Sequence, residues 1–380
     1  MGFTKIWHWV GMASLFLIGT ASAGGTFKAK PMTDAEYGAV IREIYSQESS
    51  VPAMIEAQAG TRPRAPISAE QSAKLNLLTL YIIPPGRDLN WDSPKRLVNS
   101  VIRNYIFHPD RLIGHVLASV RCGATGEPDF FFSGMSGRGD DRALADDEGY
   151  GLGLMFHDYA GYMENPKLLV KELRYRAKWG RLSFLEFEIN ANTCERLQEY
   201  MRGYRANGDD KHYGLPNRPR FHEGGGCTAF STSFIDVAGL LEPDFVAHWT
   251  RTLRVPRALV GGHWTGEKIP TKKLRKGKEA DRWAIPDEPG FDLFFWDAQL
   301  MHRWVRETYD REKKQRRTDF EPVLYWVEGD SPDDMPGYRR VYGLRVNRAA
   351  WNTPDEPIFL NEIRNTKPFE GIPTDAGRRR

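Results

Sequence analysis

The chain has 380 residues, and 41% of them are hydrophobic, which is enough for one large domain or two modest ones. Its net charge of +3 is only mildly basic. The basic residues fall in short separate runs rather than one concentrated stripe, so the sequence predicts no nucleic-acid partner.

Residues 1–23 have the order of a secretory signal peptide. Lys5 precedes an apolar run over 6–20, and Ala21-Ser22-Ala23 supplies the small residues of a cleavage site, with cleavage expected after Ala23. The run is short for a membrane span and contains His8. We expect a secreted or periplasmic protein with no stable membrane span after cleavage; an uncleaved anchor is the alternative.

The next region, 24–94, is predicted to be an N-terminal helical segment. Apolar residues recur at helical spacing over 33–46, and a second helix is expected over 69–80 before Pro84-Pro85-Gly86. A third helix over 93–107 opens the region that follows.

A strand pair is predicted after that helix. The segment 112–120 is apolar on both alternating faces, as in a strand covered on two sides, and it carries His115. The aromatic run 129–133 is its expected hairpin partner. A further strand at 182–189 and a helix over 192–204 follow, so the fold class is α+β.

Cys227 is placed at the start of a predicted helix. Gly224, Gly225 and Gly226 run directly into an apolar stripe that includes Phe230 and Phe234. The partial positive charge of a helix N-terminus favours the thiolate, the nucleophilic form of cysteine. The plainer reading is a buried cysteine at a tight turn.

Cys227 is one of three cysteines, with Cys122 and Cys194. An odd number leaves at least one thiol free in a monomer. A Cys122–Cys194 pair would suit a reactive Cys227, but the sequence does not select it over a pair that includes Cys227.

A thiol nucleophile needs a base, which is usually histidine. His115 lies within a hydrophobic strand, where a buried imidazole needs a partner. The alternative is a core histidine with a purely structural role. A zinc site that included His115 and Cys122 would lack any standard ligand spacing, so no metal and no cofactor is predicted.

The order of these elements resembles the circularly permuted papain-like thiol enzymes of the NlpC-type superfamily, which include relatives of lecithin–retinol acyltransferase. The matching stretches are Gly114-His115 and Cys227-Thr228-Ala229-Phe230, and the resemblance covers roughly 95–245. It implies a permuted papain-like catalytic core, in which a small antiparallel sheet packs on helices. Residues 246–380 are then a C-terminal α/β accessory extension.

The resemblance also implies roles for particular residues. Cys227 would be the nucleophile, its backbone N–H an oxyanion donor, and His115 the general base. The third polar residue of the family lies on the strand after the histidine. A hairpin centred near 124 and 125 puts Ser133 or Gly134 opposite His115, so Ser133 is the expected third residue, with Asp129 and His157 as alternatives. Ser133, and Gly226 before the cysteine, depart from the family's usual residues.

The predicted function is an exported cysteine-dependent hydrolase, an amidase or peptidase, with acyl transfer as a further outcome. The expected substrate is a cell-wall peptide or an acyl-containing, lipid-like molecule. The alternative is a catalytically degenerate exported binding or structural protein with the same fold.

Overall fold

The computed structural model describes residues 76–108, 112–123, 129–139, 143–315, 320–329, 337–346 and 354–360. The predicted signal peptide, the predicted helix at 33–46 and most of the one at 69–80 lie outside these ranges. Within them the chain is a mixed α+β protein whose sheets pack against helices, which confirms the predicted fold class.

The main sheet has six strands in the order β10-β11-β6-β1-β2-β3. All neighbours are antiparallel except β11 and β6, which run parallel. The strands are β1 (Leu77–Ile83), β2 (His115–Cys122), β3 (Asp129–Ser133), β6 (Ser183–Glu188), β10 (Phe320–Gly329) and β11 (Gly337–Val346).

Helices cover both faces of this sheet. Alternate residues of β2, such as Val116 and Ala118, belong to the core formed with the helices on one face, whereas Leu117 points to the other face. The helices are α1 (Pro94–Phe107), α2 (Pro166–Lys178), α3 (Ala191–Ala206), α4 (Cys227–Val237), α5 (Pro243–Trp249), α6 (Thr271–Lys276) and α7 (Ala298–Gln315). Of these, α3, α4, α5 and α7 share the face of Val116, and α2 lies on the face of Leu117.

The prediction of a helix over 69–80 is wrong for its described end, because β1 begins at Leu77. This strand lies between β2 and β6, where Tyr81 pairs with Leu117 on one side and Phe184 on the other. A short, continuously apolar run fits a buried strand and a buried helix equally well by periodicity. Hydrogen bonding to both β2 and β6 stabilises this segment as a strand.

The C-terminal part of the chain completes the main sheet. Its strands β10 and β11 lie in the region that was predicted to be an α/β extension. Because β11 pairs with β6, hydrogen bonding crosses the boundary predicted at residue 245. The region predicted as an accessory extension therefore shares a sheet with the region predicted as the catalytic core.

Two smaller sheets lie beside the main one. One is formed by β4 (Met135–Arg138), β5 (Tyr159–Met163) and β7 (His212–Tyr213), and the other pairs β8 (Thr250–Pro256) with β9 (Gly290–Trp296). β4 follows β3 after one residue, so the chain passes directly from the large sheet to the small one. β5 and β7 bring later segments to that junction.

A disulfide joins the end of β2 to the first turn of α3, and it links Cys122 with Cys194 over a Cα–Cα distance of 5.9 Å. Cys227 is a free thiol. The structure thus selects one of the pairings that the sequence left open. No helix in the described ranges combines the length and apolar content needed to cross a bilayer.

Candidate active site

Cys227 is the first residue of α4 and follows Gly226 at the N-cap. Its side chain is buried, with 5% of the residue exposed. The first backbone N–H groups of a helix have no acceptor within the helix, and they carry a partial positive charge. The thiol therefore lies beside donors that favour an anion.

The glycine run lets this helix start lie against β7. Gly224 has a φ of +70°, and a Cβ there would overlap the carbonyl oxygen of His212. The N–H of Gly226 donates to the carbonyl of Gly214 at 2.8 Å. A side chain at Gly224 would push the loop away from β7 and move Cys227 with it.

His115 connects the thiol to a carboxylate. It is the first residue of β2, and its Nε2 lies 2.7 Å from Oε2 of Glu164. The same ring also interacts with the Cys227 thiol, and each of these two groups shifts the pKa of the other. Because Nε2 is occupied by Glu164, Nδ1 is the ring nitrogen left for the sulfur. Cys227, His115 and Glu164 thus form one series of interacting groups.

Glu164 is held at both carboxylate oxygens. Its Oε1 accepts a hydrogen bond from the Ser136 hydroxyl at 2.8 Å, while Oε2 contacts His115. Its backbone N–H donates to the carbonyl of Gly134 at 3.0 Å. The residue is buried and comes directly after β5, so the small sheet supplies the carboxylate and the large sheet supplies the histidine.

The expectation that Ser133 faces His115 is wrong. Ser133 pairs with Ala118, three residues further along β2, and that register would place Ser136 opposite His115. The Ser133 hydroxyl donates to the carbonyls of Gly134 at 2.9 Å and Glu164 at 3.2 Å. It therefore supports the backbone of Glu164, and the position predicted for Ser133 belongs to Glu164.

The two alternatives to Ser133 also lie elsewhere. Asp129 pairs with Cys122 at the opposite end of β2 from His115. The ring of His157 packs against Tyr159 and Tyr150, with centroid distances of 4.5 and 5.4 Å. Neither residue is in position to orient His115.

The charges of the three groups support one another. Burial alone lowers the pKa of His115, but the Glu164 carboxylate and the Cys227 thiolate outweigh it and hold that pKa well above its usual value. Burial alone raises the pKa of the Cys227 thiol, but the His115 cation and the N–H of Val116 bring it below its usual value. Burial raises the pKa of Glu164, but His115 and Ser136 lower it by more, so this pKa lies below its usual value. This combination favours a thiolate–imidazolium pair beside an ionised carboxylate.

Tyr213 adds a hydroxyl to the site. It is the last residue of β7, is buried, and its hydroxyl interacts with the thiol and the backbone of Cys227. Burial, reinforced by the nearby Cys227 thiolate, holds its pKa well above the usual value, so the phenol keeps its proton. Tyr213 and the Cys227 N–H are thus two donors at the place where an oxyanion would form.

A cavity of about 180 Å³ lies next to α4, but on its far side. The residues of α4 that line it are Ala229, Thr232, Ser233 and Asp236, a stripe on the face opposite Cys227 at 100° per residue. This cavity is therefore not the site of thiol chemistry.

Glu164 is the residue of the candidate site that sequence reasoning missed, and Tyr213 was not predicted to contact Cys227. Glu164 is 49 residues from His115 and follows β5, a strand that was not predicted. The one local sign was a lone acid at a strand end before Asn165-Pro166, the start of a helix. The described residues contain no group of three or more acidic, histidine or cysteine side chains arranged to hold a metal ion.

No family model, no curated protein and no solved structure matches the chain.

Proposed function

We propose that this protein is a cysteine-dependent hydrolase that cleaves an amide or ester bond through a thioester, with a core of the permuted papain-like type. The observation that carries the proposal is that Cys227, at a helix N-terminus, interacts with His115, which in turn is hydrogen-bonded to the buried Glu164. A nucleophile, a base and a group that orients the base are the three parts such catalysis needs.

The geometry supports a two-step reaction. The Cys227 thiolate attacks the carbonyl carbon, and the oxyanion accepts hydrogen bonds from the Cys227 N–H and the Tyr213 hydroxyl. The His115 imidazolium gives its proton to the leaving amine or alcohol as the carbonyl–heteroatom bond breaks, which leaves a thioester on the sulfur. Neutral His115 then takes a proton from water, whose oxygen attacks the thioester and releases a carboxylic acid and the thiol.

Glu164 has an electrostatic and an orienting role in this scheme. It holds Nε2 of His115 so that Nδ1 points at the sulfur, and its negative charge stabilises the imidazolium. Ser136 in turn fixes the carboxylate.

We propose further that the protein is exported. The Cys122–Cys194 disulfide supports this, because such bonds persist in oxidising compartments. The predicted signal peptide at 1–23 accords with that location.

One observation favours the rival function of a binding protein without catalysis. Cys227 and His115 are only 5% and 7% exposed, so a substrate has little direct access to them in this conformation. Reaction with a small electrophile separates the two functions.

The test is alkylation of the native protein by iodoacetamide, followed by peptide mapping. We expect Cys227 to react at pH 7 at least tenfold faster than a free cysteine would, because its thiol pKa is lowered. Hydrolysis of 4-nitrophenyl acetate should fall to background in Cys227→Ala. A Thr232→Val variant, altered on the far side of the same helix, is the control and should keep full activity. An unreactive Cys227 in a folded protein would exclude the proposed hydrolase function.

A further inference from the structure

A second cavity, of about 690 Å³, lies outside the site described so far. Its volume is in the range of small-molecule sites. Trp91 and Gln299 line it together with four arginines, which are Arg96, Arg103, Arg251 and Arg303.

The cavity opens at the same end of the main sheet as His115. Ile83, the last residue of β1, pairs with His115, and the segment that follows β1 forms one wall of the cavity. Gly114 lies against Ala298, the neighbour of Gln299 in α7; a Cβ on Gly114 would come within 2.6 Å of the Ala298 Cβ.

A second link runs to the nucleophile. Trp91 packs on Phe295 at a centroid distance of 5.0 Å. The next residue, Trp296, accepts a hydrogen bond from the hydroxyl of Thr228 at 2.8 Å, and Thr228 adjoins Cys227. A short series of packed residues therefore connects the cavity to each member of the Cys–His pair.

Three of the arginines have carboxylate partners within the protein. Arg96 pairs with Asp92 at 2.6 Å, Arg303 with Asp88 at 3.4 Å, and Arg251 with the buried Asp297. In the Arg96 pair and in the Arg303 pair at least one of the two side chains is more than half exposed, so solvent weakens the attraction between the charges.

Arg103 is different from these three. Among the described residues no carboxylate pairs with it, and its one hydrogen bond is a 3.3 Å contact to the carbonyl of Asp88. Its Nε–H is buried without an acceptor in the described protein, and so is the indole N–H of Trp91 in the same cavity. Two buried donors without acceptors indicate a ligand rich in acceptor oxygens.

We propose that this cavity binds a carboxylate of the substrate, and that the substrate is an acidic peptide. The inference rests on the proposed hydrolase function and names its substrate class. A guanidinium with unused donors recognises a carboxylate through paired hydrogen bonds, and Trp91 offers a flat surface for the adjoining peptide group. Most of the lining side chains are polar or charged, and Leu89 and Trp91 are the apolar ones, which favours a peptide over a lipid.

The first experiment measures binding by calorimetry with the full-length Cys227→Ala protein, so that nothing is cleaved. The probes are the peptide acetyl-Ala-Glu-Ala-Glu-Ala-amide and its counterpart with Gln in place of Glu. We expect the Glu peptide to bind at least tenfold more tightly. Arg103→Gln should remove that preference, while Arg202→Gln, an exposed arginine on α3, should keep it.

A second variant guards against a folding defect in the first. Arg303→Gln changes a half-exposed side chain of the same cavity and should reduce the preference for the Glu peptide severalfold. Equal binding of the two peptides, or equal effects of the Arg103 and Arg202 changes, would overturn the proposal. Tighter binding of inorganic phosphate or of phosphatidylglycerol vesicles than of the Glu peptide would overturn it as well.

The last measurement connects the cavity to the thiol. In the wild-type protein the Glu peptide should slow alkylation of Cys227 by iodoacetamide at least fivefold, and in Arg103→Gln it should not. Binding of the Glu peptide without slower alkylation of Cys227 would show that the cavity is separate from the thiol site, and it would refute the substrate assignment. An inert Cys227 combined with selective binding of the Glu peptide would refute the hydrolase while the carboxylate site stands.

Discussion

At the scale of single residues, the site depends on how Glu164 changes its two neighbours. A buried histidine alone would stay neutral, and a buried thiol alone would stay protonated. The carboxylate reverses the first tendency, and the resulting imidazolium reverses the second. The reactive ion pair is thus a property of three side chains together.

This dependence predicts a bell-shaped pH profile for Cys227-dependent hydrolysis. Activity should rise as the thiol ionises, at a pH below the usual thiol pKa, and fall as His115 loses its proton, at a pH well above the usual histidine pKa. In Glu164→Gln the imidazolium loses its carboxylate, so the His115 pKa falls and the Cys227 thiol pKa rises. The pH range of activity between these two pKa values therefore narrows. We expect about a 100-fold loss of kcat at the optimum.

Steady-state kinetics across the pH range check this expectation. Ser136→Ala, which removes one hydrogen bond from Glu164 and leaves its charge, is the comparison and should narrow the profile less. An unchanged upper limb in Glu164→Gln would show that the carboxylate does not set the histidine pKa.

At the scale of elements, the position of Cys227 comes from the glycine loop and from β7 rather than from α4 alone. The loop backbone lies against His212 and Gly214, and Tyr213 between them reaches the sulfur. The small sheet of β4, β5 and β7 therefore brings together Ser136, Glu164 and the phenol, and the large sheet contributes His115.

Gly224→Ala should accordingly damage both stability and the site. The position has a positive φ, and a Cβ would overlap the carbonyl of His212, so we expect the free energy of unfolding to fall by about 2–3 kcal/mol. Gly208→Ala is the matched control. It has a similar φ of +77° but nothing within 4 Å of the added carbon, so only the backbone cost of about 1 kcal/mol should appear.

Urea unfolding and iodoacetamide reactivity measure the two effects. Gly224→Ala should also slow alkylation of Cys227, because the loop must move, whereas Gly208→Ala should leave the rate unchanged. Equal losses of stability in the two variants would mean that overlap with the His212 carbonyl does not contribute to the change in the free energy of unfolding.

At the scale of the whole molecule, one sheet unites segments from Leu77 to Val346. The disulfide ties this sheet to α3 at Cys122, the end of β2 opposite His115. The covalent link thus lies at a distance from the candidate site, and the bonded cysteines are spatially separate from the free Cys227.

Removing the disulfide should lower stability without abolishing reactivity. It closes a loop with a sequence separation of 72 residues, for which chain entropy predicts about 4 kcal/mol, with 2–4 kcal/mol the usual measured range. We expect the Cys122→Ala/Cys194→Ala protein to melt at a lower temperature and still alkylate at Cys227. Thermal unfolding with peptide mapping checks both, and loss of Cys227 reactivity below the melting temperature would contradict the separation.

Local patterns were sufficient to place Cys227 at a helix start and to predict most of the strands around it. Three glycines before an apolar helical stripe indicate a helix start, and an apolar run with one histidine indicates a buried strand that needs a polar partner. Those patterns act over a few residues, and the same few residues determine the local structure. The structure accordingly places Cys227 at the start of α4 and His115 at the start of β2, where the two side chains interact.

The partner of His115 was decided only in three dimensions. The hairpin register differs from the predicted one by two or three residues, and β3 ends before it reaches the histidine. Glu164 then arrives from a strand in another sheet, a placement that no spacing along the chain encodes. Strand register, the pairing of β11 with β6 and the choice of disulfide depend on which distant surfaces bury one another, so only the tertiary structure determines them.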